Sequence, residues 1–381
     1  MINNNYKTKV YNFSNRQIQD SLFLELKNGL WKDFKIENYL INSKIPAHQP
    51  HKVFDVFDNF KIIPPGVNYD VENDKLKEEI FLPKYQKTSK KDLYNSFENY
   101  FSNFKGNTIG VHLSGGLDSS IIIGMLNHFD IPFYLIGLVS HRFEFRTEKK
   151  IQEILAPSAL ETILLDMDDY PFFSELDKKP LSQIPDDNIK QIEGSKAIIE
   201  SCKKLGVDTV FTGQGGDSIF VDAIPDNNTK WSCNIGSEFI MDYESNEMYP
   251  EEGLELLSPF ADKKIIEAVY NLRFGQKEDV LKIWARQLFK EILPKELSGF
   301  TYCADFFGTS MSGLHIAKSK IDALFKVAYQ ITQHHIFSPK ETARFLKLDV
   351  FDFEYQDYID YCNKISLATW YNGLLREGYV K

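Results

Sequence analysis

The spacing of apolar positions changes twice along the chain. Before about residue 85 they come in short alternating segments broken by turn signals, including Asn42-Ser43-Lys44-Ile45-Pro46 and Ile63-Pro64-Pro65-Gly66, which predicts a small β-rich region. A polar helix is expected from Lys90 to Phe104. Strand-like runs then alternate with helical ones: Thr108–Leu113, Phe133–Val139, Thr162–Leu165 and Thr209–Phe211 read as strands, and stretches around Lys149–Leu155 and Gly194–Leu205 read as helices. That alternation predicts an α/β fold with a doubly wound parallel sheet. From Glu255 onward the spacing is mostly helical. Leu281, Trp284, Leu288 and Ile292 form one face, and Tyr358, Cys362, Ile365 and Leu367 lie near another, so the last third is expected to be a helical layer. No internal repeat, low-complexity tract or coiled-coil heptad is present. The natural division is residues 1–85 and residues 86–381.

Composition narrows the class of molecule. With 381 residues, 43% of them hydrophobic and 14% aromatic, the chain can fill the core of one large or two modest domains. The longest apolar runs, such as Ile131 to Val139, are far too short to cross a bilayer. The start Met1-Ile2-Asn3-Asn4-Asn5 lacks a basic-then-apolar signal, so a soluble cytoplasmic protein without a membrane partner is expected. Four cysteines without a C-x-x-C spacing suggest neither a disulfide framework nor a cysteine zinc site. A net charge of −10 argues against nucleic acid as a partner, because that binding draws on clustered Lys and Arg. Lys87, Lys90 and Lys91 read as a solvated charged segment. His48 with His51, and His334 with His335, have no third metal ligand nearby and read as ordinary surface histidines.

Chemistry concentrates in two glycine-rich turns. Ser114-Gly115-Gly116-Leu117-Asp118-Ser119-Ser120 follows the strand ending at Leu113 and opens into the apolar run Ile121-Ile122-Ile123. Two glycines let backbone approach an anion, and a helix starting near Ser119 aims unpaired N–H groups at the same point. Asp118 beside a bound phosphate is repulsive unless a divalent cation separates them, so the motif implies a nucleotide with Mg²⁺. A plain glycine turn with an Asp or Ser helix cap is the alternative, and the full ordered motif favours the nucleotide loop. The second turn, Thr212-Gly213-Gln214-Gly215-Gly216-Asp217-Ser218, again follows a short apolar strand. Ligands of open parallel sheets sit beyond the carboxyl ends of strands, so the two turns can share one crevice and Asp118 and Asp217 can form a metal pair. Alone, the second turn reads equally well as a tight turn with Asp217 capping the next helix.

Together these residues resemble the synthetase domain of the asparagine synthetase family, which includes β-lactam synthetases and lasso-peptide cyclases. SGGLDSS matches the family's pyrophosphate loop, and TGQGGDS is similar to its second, metal-bearing loop. Ser258-Pro259-Phe260-Ala261-Asp262, Lys282 with Arg286, and Leu293-Pro294 resemble the family's Pro-Phe-x-Asp segment, Lys-x-x-x-Arg helix and Leu-Pro stop. The resemblance implies ATP and Mg²⁺. It assigns Leu113, Ser114, Gly115, Gly116, Asp118, Ser119, Ser120, Leu138, Gly213 and Gly215 to ATP and pyrophosphate, and Asp118 and Asp217 to the metal. Lys282, Arg286, Gln214 and Cys303 take the catalytic positions. Lys282 and Arg286, four apart, are expected to present two cations from one helical face. Glu148 resembles the acid that opens the helix after the second strand, where it is expected to cap that helix.

Departures from the family pattern shape the expected reaction. Ile2 stands where full-length relatives carry a nucleophilic cysteine and no cysteine precedes Cys202, so residues 1–85 are expected to be a shortened, degenerate glutaminase-like region without glutamine hydrolysis. Gln214 replaces a glutamate or a proton-accepting tyrosine and can only orient a substrate. Ser218 replaces an acid, and Cys303 stands nearest the position of a lysine whose charge meets pyrophosphate. The resemblance therefore implies an AMP-forming amide ligase that adenylates a carboxylate and couples it to an amine. Macrolactam closure of a precursor peptide in natural-product biosynthesis, with partner biosynthetic proteins, is its most specific version. A catalytically degenerate ATP-binding relative acting as a scaffold is the alternative, and a tRNA-modifying phosphate-loop enzyme is a second.

Overall fold

The computed structural model describes residues 9–12, 16–19, 60–63, 68–70, 72–73, 75–77, 85–142, 145–176, 190–221, 248–298, 307–332 and 355–377. Cys303, the two histidine pairs and the turn at Pro64-Pro65-Gly66 lie outside these residues. The described part of the first 85 residues is antiparallel. β1 (Lys9–Asn12) pairs with β2 (Gln17–Gln19) and with β3 (Phe60–Ile63), and β4 (Asn68–Asp70) pairs with β5 (Lys75–Lys77).

After Tyr85 the chain follows the expected alternation. Helix α1 (Lys90–Ser102) opens on a capping box, Ser89 with Asp92, and buries Leu93, Phe97 and Phe101, spaced by four so that they share one face. Then come β6 (Ile109–His112), α2 (Leu117–His128), β7 (Tyr134–Val139), α3 (Arg146–Leu155), β8 (Thr162–Asp166), α4 (Ile192–Lys204) and β9 (Thr209–Phe211). They are followed by the short helices α5 (Gly216–Phe220) and α6 (Met248–Glu251), strand β10 (Glu255–Leu257), and helices α7 (Lys263–Arg273), α8 (Ile283–Leu288) and α9 (Lys295–Ser298). Two long helices, α10 (Phe307–Thr332) and α11 (Tyr355–Arg376), pack on each other at the end. No described helix is long and apolar enough to cross a membrane.

The five strands β6 to β10 form one all-parallel sheet in the order β10-β9-β6-β7-β8. Alternate residues of these strands point to opposite faces. Val111, Leu135 and Phe211 join the large core beneath α1, α2, α7 and α8, whereas Ile136 and Val210 pack with Ile199 and Cys202 of α4 and Tyr249 of α6. The sheet is thus covered on both faces, the doubly wound arrangement that the alternation predicts. Strand β10 was not anticipated, since Glu255 was read as the start of the helical part. It is a three-residue edge strand, too short for a period of two to show against its neighbours. The order of strands reverses between β6 and β9, and both glycine turns leave from there.

Candidate active site

The first turn is shaped by what glycine omits. Gly115 has φ +78°, and a Cβ there would overlap the backbone carbonyl of Glu148 in α3, so only glycine lets the turn lie against that helix. Helix α2 begins at Leu117, two residues earlier than expected, with Gly116 as an extended N-cap and no side-chain cap. The serine hydroxyls hold the turn instead. Ser114 Oγ lies 2.8 Å from Ser119 Oγ and accepts from the Gly116 N–H at 3.1 Å, and the Ser120 hydroxyl donates to the Gly116 carbonyl at 2.6 Å. Ser120 is fully buried, so it shapes the loop from behind. No side-chain hydrogen bond caps α2, so its positive end carries no side-chain cap at the start of a twelve-residue helix.

The second turn packs against the first at van der Waals range. A Cβ on Gly213 would come within 2.7 Å of the Ser119 nitrogen, and one on Gly216 would overlap the Asp118 carboxyl carbon. Gly215, with φ +81°, is the left-handed N-cap of α5. Asp217 therefore sits in the first turn of α5 and does not cap it. Ser258 Oγ donates to the Gln214 carbonyl at 2.5 Å, and the Gln214 side chain lies back over Thr212 Oγ1 at 3.4 Å. The loop following β10 thereby holds the turn between β9 and α5.

The two acids meet on one cation. Lys282 Nζ lies 2.5 Å from Asp118 Oδ2 and 2.6 Å from Asp217 Oδ1. Lys282 is buried and is the N-cap of α8 with a left-handed backbone (φ 51°, ψ 38°), its N–H bonded to the Asp279 carbonyl at 2.9 Å. Such a conformation is unfavourable for a side chain with a Cβ and persists where the surroundings impose it. Burial pulls the Lys282 pKa down, but the two carboxylates overcome it and raise it, so the ammonium stays charged. Burial pushes Asp118 up to about 6; Asp217 adds to that rise, and Lys282 and Arg286 oppose it. Asp118 Oδ1 is buried with no hydrogen bond.

This donor set fits a magnesium ion held jointly with phosphate. No group of three or more His, Cys, Asp or Glu among the described residues forms a metal cage. Mg²⁺ bound through one or two carboxylates, several waters and substrate phosphates needs none. The orphaned Asp118 Oδ1 and the outward Asp217 are oxygen donors of the right kind.

Lys282 and Arg286 do not share a helical face, because Lys282 precedes α8. Arg286 is buried, its Nε donating to the Leu281 carbonyl at 3.0 Å and its Nη1 to the Leu297 carbonyl, so it ties α8 to α9. Glu148 is the acid in the first turn of α3, whose N-cap is Phe145, as the dipole argument expects, and it also lines a cavity of about 260 Å³ beyond the ends of β6 and β7. Leu113, Ser114, Gly116 and Leu138 line the same cavity, whereas Gly115, Asp118, Ser119, Ser120, Gly213 and Gly215 are not among its lining residues. Two residues of the cavity, His112 and Gln152, and Arg273 behind the second turn escaped sequence reading. His112, ending β6, is half-buried with Nε2 2.8 Å from the Tyr249 hydroxyl, and desolvation lowers its pKa to about 4. Arg273, which is buried, donates to the Ile219 carbonyl at 2.7 Å at the end of α5, the helix bearing Asp217. Gln152, a polar residue on the buried face of α3 between Ile151 and Leu155, bonds two strand-end carbonyls. Only Gln152 left a sequence signal, as a polar interruption of an apolar face.

Residues 105–223, just under a third of the chain, match the asparagine synthase family model, so this stretch is similar to that family's domain. No curated protein matches the chain. A solved structure, that of NMN synthetase from Francisella tularensis, is 13% identical with a TM-score of 0.33, covering 68% of this chain and 91% of that one. A likeness of that size carries no weight for the site.

Proposed function

We propose that the protein is an Mg²⁺-requiring, AMP-forming amide ligase, a reading supported by the match of residues 105–223 to the asparagine synthase family model. In this reading a substrate carboxylate oxygen attacks the α-phosphorus of ATP, the bond to the β-phosphate oxygen breaks, and pyrophosphate leaves. An amine nitrogen then attacks the acyl carbon of the adenylate, releasing AMP and a proton. The observation that carries the reading is the convergence of Asp118 and Asp217, from turns on either side of the strand-order reversal, on a single ammonium.

Each element has a task. The uncapped N–H groups at the start of α2 hold the departing pyrophosphate. Asp118 and Asp217 would hold a magnesium ion, which would supply positive charge to the leaving group. Lys282, a cation resting between the two acids, would contact phosphate oxygens of a bound nucleotide once those acids held a metal. Arg286 keeps α8 in place. Gln214 orients the amine, whose proton it cannot take. The resemblance supports an amine that is intramolecular or a second substrate, and a peptide macrolactam is the product we favour.

The test is Mg²⁺-dependent exchange of labelled pyrophosphate into ATP across a panel of carboxylates, followed by AMP release when amines are added. Nucleotide binding with neither exchange nor AMP release across the panel would leave a scaffold role in its place.

A further inference from the structure

Arg273 is a charged residue in the core, far in sequence from both glycine turns, and it lies behind the ion pair of the site. It ends α7, where it continues the apolar face of Ile266, Val269 and Tyr270 at 0% exposure. A guanidinium costs far more to bury than the aliphatic side chain such a face would accept, unless its N–H groups find acceptors. They find them at the end of α5 away from Asp217. Nη1 donates at 2.7 Å to the Ile219 carbonyl and Nη2 at 3.4 Å to the Val221 carbonyl, groups to which that short helix supplies no donor of its own. The guanidinium carbon also lies 5.8 Å from the centre of the Trp284 ring, in the first turn of α8.

A second path runs beside the first. The Asp279 N–H donates to the same Val221 carbonyl at 2.7 Å, the Asp279 carboxylate accepts the Trp284 N–H at 2.8 Å, and the Asp279 carbonyl accepts the Lys282 N–H at 2.9 Å. The Phe220 and Trp284 rings are 6.3 Å apart. Helix α5, which carries Asp217, and the turn into α8, which carries Lys282, are thus joined at their inner ends by one guanidinium and one aspartate. Their outer ends meet in the 2.6 Å contact of Asp217 with Lys282. Because the Asp217 side chain is mostly exposed, the helix beneath it has to place it.

We propose that Arg273 is a positioning residue: by clamping α5 and α8 together from behind, it sets the distance between the Asp217 carboxylate and the Lys282 ammonium. The inference rests on the ligase reading, in which those two groups serve the metal and the pyrophosphate. Arginine suits this task better than lysine, because its planar fork directs two bonds at once and leaves a flat face for the indole.

The experiment has two arms. Hydrogen exchange read by mass spectrometry, without nucleotide, compares wild type with Arg273→Met and Arg273→Lys. Arg273→Met is expected to speed exchange about 10-fold in peptides covering residues 216–221 and 282–288 while leaving those of α2 unchanged; Arg273→Lys, which keeps donors for the two carbonyls and loses the flat face, is expected to loosen only 282–288. The second arm is a double-mutant cycle on pyrophosphate exchange. Arg273→Met should lower the rate about 10-fold in the wild type and raise the Mg²⁺ concentration for half-maximal rate, yet change little in an Asp217→Asn background, where the distance it sets no longer matters. A purely structural arginine would lower both backgrounds by the same factor and leave the Mg²⁺ requirement as it was; that result overturns the assignment, as does exchange that rises alike in every peptide. If Arg273→Met does not fold, Arg273→Lys decides, and wild-type protection at both segments then overturns it. Should the wild type catalyse no pyrophosphate exchange with any carboxylate, the ligase reading falls, and the clamp between α5 and α8 stands or falls on hydrogen exchange alone.

Discussion

Two turns in this molecule share one plan, a strand, a glycine turn and an acid in the first turn of a helix, yet they deliver their acids into different surroundings. Asp118 rides on a twelve-residue helix sunk in the core, and its side chain is 16% exposed; Asp217 rides on a five-residue helix, and its side chain is 74% exposed. The motif alone does not distinguish them. Depth makes Asp118 a fixed, desolvated charge with an orphaned oxygen, and leaves Asp217 a solvated arm held in place by glycine packing and Lys282. The difference teaches that equivalent positions in a repeated motif carry unequal shares of an electrostatic task, because each charge is weighted by the dielectric around it.

The sharpest way to break this comparison is to neutralise each acid. Asp118→Asn should reduce pyrophosphate exchange about 1,000-fold and Asp217→Asn only about 10-fold, measured at saturating substrate. Equal losses would show that burial does not set their ranks. The glycines offer the next largest contrast. Gly216→Ala forces a methyl group into the Asp118 carboxyl carbon and should reduce exchange about 100-fold, whereas Gly116→Ala, with φ −79° and its nearest neighbour the Ser114 hydroxyl at 3.3 Å, should cost far less. Cys303→Lys, restoring the charge that relatives place there, should raise exchange by up to about 100-fold with a cognate carboxylate; no change would remove that position from the reaction.

Acid should weaken the strand beneath the first turn and spare the one beneath the second. His112 closes β6 with its pKa lowered by desolvation to about 4, from an ordinary 6.5, whereas β9 closes on Phe211, which has no titrating group. The unfolded chain takes up the proton first as pH falls. The stability held by neutral His112 is therefore complete above about pH 6.5 and lost as pH drops toward 4, a change of about 3 kcal/mol. Denaturant melts at pH 7 and pH 4.5 would show the slope, and His112→Gln, an uncharged replacement, should flatten it by a comparable amount.

The order of strands and helices from β6 to β9 could be read in advance because glycine turns and caps mark the ends of its runs; even the three-residue β9 shows as a buried run leading into a glycine turn. Strand β10 could not, being three residues at an edge. In the site, SGGLDSS and TGQGGDS were legible as anion and metal turns because short-range chemistry demands those residue types in that order. Arg286 was misplaced because a spacing of four implies a shared face only if both residues lie within one helix, and Lys282 lies before it.

What the amino-acid order determined by itself was local: two turns with φ above zero at Gly115 and Gly215, an acid just inside each following helix, and an alternation that requires a parallel sheet. Only the tertiary structure decided that these turns abut, since the crossover through α3, β8 and α4 inserts about 90 residues between them before β9 returns beside β6. It likewise decided that Asp118 is buried while Asp217 is not, that Lys282 bridges both, and that Gln152 turns its amide nitrogen to two strand ends. These are long-range outcomes of packing, where burial and neighbouring charge, not residue identity, set what each group does.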